Sequence, residues 1–160
     1  NPRKSIIMAL SNVFDSAAAQ SFIKRINILT PESQPLWGKM SVDQMFAHLN
    51  VTYELVYEEG KHPKPKFFMK IIMRLLVKNI VVSDTPYQAN SQTAPYFIIE
   101  GKKDFNAEKT RLIDYILKTQ QLGGDYFKSK ESHAFGELST REWNNMFSKH
   151  LEHHLRQFDV

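Results

Sequence analysis

The sequence predicts an all-α protein, a four-helix bundle with a long, partly helical crossover. Three observations carry that expectation. Apolar residues recur at helical spacing in four segments, Ser-x-x-Gln and Ser-x-x-Glu capping boxes open two of them, and turn-forming residues separate them. With 160 residues, 42% hydrophobic and 24% charged, the chain has the size and composition of one domain, 1–160, able to bury a continuous core.

The first helix is expected from Asp15 or Ser16 to about Leu29, with Ala17, Ala18 and Ala19 supplying propensity and Phe22, Ile26 and Leu29 the apolar stripe. Thr30 and Pro31 end it. The second starts at the Ser41/Gln44 box and carries Val42, Met45, Leu49, Tyr53 and Val56 to about Glu59, where Gly60 stops it. Residues 64–79 read as a helix with Lys66, Lys70, Arg74 and Lys78 four apart on one edge and apolar residues between them. Polar and turn residues make 84–95 a loop, and 96–99 a short extended piece. A further amphipathic helix is capped by Asn106, carries Leu112, Ile113, Ile116 and Leu117, and stops at Gly123-Gly124. A loop with His133, Phe135 and Gly136 leads to the last helix, opened by Ser139 and Glu142 at Thr140 and running to about Phe158.

Composition narrows the chemistry. The chain has no cysteine, so thiolate metal sites, disulfides and a cysteine nucleophile are all excluded, and a metal would need its six histidines. A formal charge of +4, with 17 acidic residues spread among the basic ones, gives no footprint for nucleic acid. The apolar run near the start, Ile6 to Leu10, is too short for a secretory signal, and no stretch approaches the ~20 apolar residues of a spanning helix. A soluble, cytoplasmic protein is expected.

At about 100° per residue, Trp143, Met146, Phe147, Leu151, Leu155 and Phe158 share one face of the last helix. His150 and His154 project within that face one turn apart. Lys149, Glu152 and Arg156 point away, with His153 toward their side. Two readings stay open for the pair: it grips one ion, or it hydrogen-bonds backbone or water at the end of the bundle. His48, on the flank of its helix beside Met45, Thr52 and Leu55, reads alone as structural. His153 is assigned to the outer face and His62 to an exposed loop.

Met45-Phe-Ala-His48, Phe135-Gly-Glu-Leu-Ser-Thr-Arg-Glu-Trp143 and Lys149-His-Leu-Glu-His-His-Leu-Arg-Gln-Phe158 together resemble the DinB/YfiT-like metalloenzymes, in a bacterial branch of unknown function. The resemblance covers about residues 12–159. It implies a DinB-like four-helix bundle in which one histidine of the second helix and two of the last bind a divalent metal, which here are His48, His150 and His154. Characterised relatives include thiol-dependent transferases and isomerases. The resemblance therefore implies a metal-dependent S-transferase or hydrolase acting on a small-molecule substrate, with a low-molecular-weight thiol as partner. Zinc, nickel, iron and manganese are not distinguished by imidazole ligands. His133 lies near a histidine and Phe-Gly pattern of that branch with compressed spacing, and is given a supporting or structural role.

The rival expectation is a non-catalytic bundle that binds metal or a small ligand. Segment 61–78, with six basic and no acidic residues, raises membrane-surface association. The preferred reading is an extra helix on the bundle or in a dimer contact, its lysine stems covering apolar surface. If the protein associates, a two-fold homodimer is the commonest outcome.

Overall fold

The computed structural model describes residues 9–160, and the start of the chain, including most of the Ile6 to Leu10 run, lies outside them. The fold is all-α apart from one small hairpin. Four long helices, α1 (Ser16–Ile28), α2 (Val42–Tyr57), α5 (Phe105–Phe127) and α6 (Thr140–Gln157), pack with α5 and α6 each lying between α1 and α2. The crossover between α2 and α5 carries α3 (Phe67–Ile72), a π-helical stretch (Met73–Val77) and α4 (Lys78–Val82), which follow one another directly.

Local chemistry sets the helix ends. The Gln44 side chain accepts from the Ser41 amide at 3.1 Å, and Ser139 and Glu142 bond reciprocally at 2.8 and 3.2 Å. α5 starts one residue before the expected cap. Asp104, not Asn106, takes that role, its carboxylate accepting from the Ala107 amide at 2.9 Å. The Gly123-Gly124 stop is only a kink: Gly123 takes φ 72°, and the chain then makes one more turn. Burial drives that turn, because Phe127 is fully enclosed and packs on Phe14, Trp143 and Phe147.

The core is aromatic and continuous. Tyr53 of α2 is stacked between Tyr115 of α5 and Phe147 of α6, with ring centroids 5.3 and 5.1 Å away. Leu112, Ile116, Phe22, Ile26, Leu151 and Leu155 fill the space around them. On the α2–α5 side the Glu54 carboxylate contacts Arg111, Lys61 and His62. Burial pushes Glu54 up, but Lys61, Arg111 and His62 outweigh it and hold the carboxylate charged. His62 is therefore no exposed loop residue; its Nε2 lies 2.7 Å from Glu54.

Between α5 and α6, the expected loop pairs Lys130–Ser132 (β1) with Gly136–Leu138 (β2) in an antiparallel hairpin. The Ser132 hydroxyl closes it, accepting from the Phe135 amide at 2.9 Å and donating to the Gly136 carbonyl at 2.8 Å. Strands this short leave no readable alternation.

The crossover departs most from expectation. It runs to Val82 rather than 79, and its middle widens into the π-helical stretch. Met73, Val77 and Val81, spaced by four, all pack on the core. Four-residue steps drift by about 40° in an α-helix, and the wider turn absorbs that drift. The lysine stems do not cover the apolar side chains, since Phe67, Phe68, Leu75 and Leu76 are exposed. Residues 95–97 form a 3-10 turn instead of an extended piece, with Pro95 at its start and the Ile98 amide donating to the Pro95 carbonyl at 3.0 Å.

Lys149 was expected to point outward; it is only 2% exposed. The crossover folds over it, and its ammonium donates to the Ile80 and Ser83 carbonyls at 2.6 and 2.8 Å, satisfying the C-terminal end of α4. Desolvation lowers its pKa to about 8, against the opposing pull of Asp84.

Leu112 has no exposed surface and sits in the N-terminal half of α5. Leu112→Ala should destabilise the protein by about 2–5 kcal/mol. Urea denaturation should show a lower midpoint with an unchanged slope.

Candidate metal centre

The helical period brings two short sets of side chains face to face. α2 offers His48 and, one turn on, Thr52; α6 offers His150, His154 and, three residues further, Gln157. The apolar stripe of α6, with Trp143, Phe147, Leu151 and Leu155 all at most 1% exposed, fixes its rotation so that both histidines turn toward α2. His48 and His154 are buried, and His150 is partly so.

The three rings form a triangle. Centroids of His48, His150 and His154 are 4.5 to 4.9 Å apart, every pair edge to face. One ligand nitrogen from each lies within 4.8 Å of the others. The Nε2 atoms of His48 and His150 are 2.9 Å apart.

Hydrogen bonds decide which nitrogen faces inward. His48 Nδ1 lies 2.8 Å from the Phe97 carbonyl, which can only accept, so Nδ1 carries the proton and Nε2 the lone pair. His154 Nδ1 lies 2.8 Å from Gln157 Oε1. The other end of that amide donates to the Trp37 carbonyl at 2.8 Å, which fixes its orientation and makes Nδ1 the donor on His154. His150 Nδ1 pairs with the Thr52 hydroxyl at 2.9 Å. All three Nδ1 atoms are thus engaged, as the outer partners of metal-bound imidazoles are.

Burial also sets the charge. Desolvation pushes His150 well below its ordinary value, helped by the neighbouring histidines. It takes His154 down to about 3, with the charge of His48 adding to the effect, and lowers His48 against the opposing Phe97 carbonyl. The rings are neutral near pH 7, the form in which imidazole ligates metal. Ligation at about 2.0–2.1 Å sets neighbouring nitrogens roughly 3 Å apart. The His48 and His150 pair already has that spacing, so the group could hold a divalent ion.

Aromatic residues wall the triangle. The Phe97 ring lies 5.2 Å from His48 and 5.7 Å from His150. His153, expected on the outer face, is half-buried between the edges of Trp37 and Tyr87, because the α1–α2 loop and the crossover close over that side of α6. His133 does not join the triangle. Its Nε2 reaches the Pro63 carbonyl at 3.2 Å and its ring meets Tyr96, tying the hairpin to the start of the crossover.

Sequence reasoning assigned no partner to the imidazoles. Thr52 and Gln157 carry a readable signal, lying four and three residues after a histidine on the same helix. The Phe97 and Trp37 carbonyls carry none. Their placement depends on loops, including Gly38, whose φ of +80° and close approach to Gln157 Nε2 leave no room for a Cβ.

The neutral rings make stability depend on pH. Unfolding exposes imidazoles that take up protons below about pH 6.5, whereas the native rings resist protonation, His154 down to about 3. Their contribution is full above about pH 6.5 and is lost as pH falls through that window. Denaturant midpoints should drop between about pH 7.5 and about pH 5. A flat profile would contradict the buried neutral triangle.

No curated protein and no solved structure matches the chain. Residues 12–160 match the family described as Protein of unknown function (DUF1569), and the chain belongs to that family.

Proposed function

We propose that His48, His150 and His154 bind one divalent metal ion and that the protein is a metal-dependent enzyme acting on a small molecule. The observation that carries this reading is the shared orientation of the three rings, with every Nδ1 engaged from outside. Three protein ligands leave coordination open for substrate or water, as catalytic centres require. The all-α bundle and the chain order of the histidines also resemble the DinB/YfiT-like metalloenzymes, which favours thiol-dependent transfer or hydrolysis.

When bound, such an ion supplies Lewis acidity that lowers the pKa of a coordinated thiol or water. The chain's own residues do the rest. The Phe97 carbonyl and Gln157 hold His48 and His154 in the ligating tautomer, the Thr52 hydroxyl, able to donate or accept, orients the His150 ring, and the Phe97 ring packs against His48 and His150. With no cysteine in the chain, a thiol nucleophile would come from a low-molecular-weight partner.

Plasma mass spectrometry on untagged protein should find about one divalent metal per chain, lost in His48→Ala and His150→Ala. Gln157→Leu, which keeps the ring but removes its acceptor, should weaken metal affinity by about 10–100-fold. Turnover of electrophiles should then require both metal and added thiol. Failure to bind metal after reconstitution would refute the centre; metal without turnover would leave a binding protein.

A further inference from the structure

The outer face of the crossover helix has no role in the metal centre. Residues 67–82 bury Met73, Val77 and Val81 against the core and turn Phe67, Phe68, Ile72, Leu75, Leu76 and Ile80 to solvent, with Phe68 78% and Leu75 75% exposed. Four of the six, Phe67, Phe68, Leu75 and Leu76, are at least 69% exposed, and a cluster of large exposed apolar side chains marks an interaction surface.

Charge lines one margin of this face. Between Glu59 and Asp84 the chain has no acidic residue and six cations, Lys61, Lys64, Lys66, Lys70, Arg74 and Lys78. The bundle neutralises Lys61 through Glu54 and Glu58, and Lys78 through Glu142 at 3.1 Å. The pairs of Lys64 with Glu59 and Lys70 with Glu131 are long, at 3.7 and 4.0 Å, and exposed. Lys66 and Arg74 make no ion pair among the described residues. The surface is therefore apolar at its centre and positive along an edge.

We infer that this face docks the protein on an anionic lipid bilayer, with the helix lying in the plane of the headgroups. A second copy of the chain would bring the same excess of positive charge to the contact. An anionic bilayer complements both features, taking the phenyl and aliphatic groups into its acyl boundary and the lysine and arginine heads at its phosphates. The geometry is peripheral, since no helix among the described residues is long and apolar enough to cross a membrane.

The test is co-sedimentation of the purified protein with phosphatidylcholine vesicles with and without phosphatidylglycerol, beside its molar mass in solution by light scattering. Binding should require the anionic lipid and fall with salt. Leu75→Ser with Leu76→Ser, at exposed positions that leave the core intact, should weaken it at least about tenfold. Lys66→Glu with Arg74→Glu should abolish the lipid preference. Circular dichroism of the variants should match the parent. Absence of binding, equal binding to neutral vesicles, or a dimer that the leucine substitutions dissolve would overturn the inference.

Discussion

Buried imidazole nitrogens must find partners, and meeting that demand for three rings at once organises this molecule. The His48, His150 and His154 side chains occupy the seam between α2 and α6, where desolvation keeps them neutral. Their outer nitrogens are met by four parts of the chain: Thr52 on α2, Gln157 on α6, the Trp37 carbonyl through Gln157, and the Phe97 carbonyl from the end of the crossover. The irregular segments at 30–40 and 84–100 are thereby pinned to the bundle by the groups that orient the rings. The Leu36 amide adds a further stitch, donating to the Gln157 carbonyl at 2.7 Å.

The aromatic core supplies the rigidity that such a centre needs. Tyr53 lies one residue beyond Thr52 on α2, and Phe147 lies three before His150 on α6; their stacking sets the two helices' separation close to the rings. The salt-bridge network around Glu54 does the same for α2 and α5, and Arg25 with Glu152, at 2.6 Å, for α1 and α6. The Arg25–Glu152 pair is partly exposed and adds little to stability, whereas Glu54 is buried and depends on its cationic partners. Both fix the rotation of the helices they join.

The four long helices, both capping boxes and the inward turn of His150 and His154 were legible because each follows from short-range periodicity. Placing His48 with them rested on resemblance, since its own helix puts it on a flank. Illegible features were those decided by tertiary cover. Lys149 and His153 sit on the polar side of α6 by helical phase, yet the crossover and the α1–α2 loop fold over that side and bury them wholly or in part. The extra turn after Gly123 likewise follows from the enclosure of Phe127, which no local signal announces. The hairpin at 130–138 depends on one serine hydroxyl, and the π-helical stretch on matching a four-residue spacing to a flat contact.

The separation of the rings along the chain has its own consequence for how the molecule is made. His48 and His150 are 102 residues apart, and Gln157 follows later still. On the ribosome, α2 emerges long before the helix that completes the triangle, so during synthesis His48 is a lone imidazole beside an uncovered apolar stripe. An ion held by all three rings can engage only a chain whose last helix has already docked. Such an ion acts on the finished fold and not on its nucleus, slowing the escape of α6 more than it speeds the assembly of the bundle.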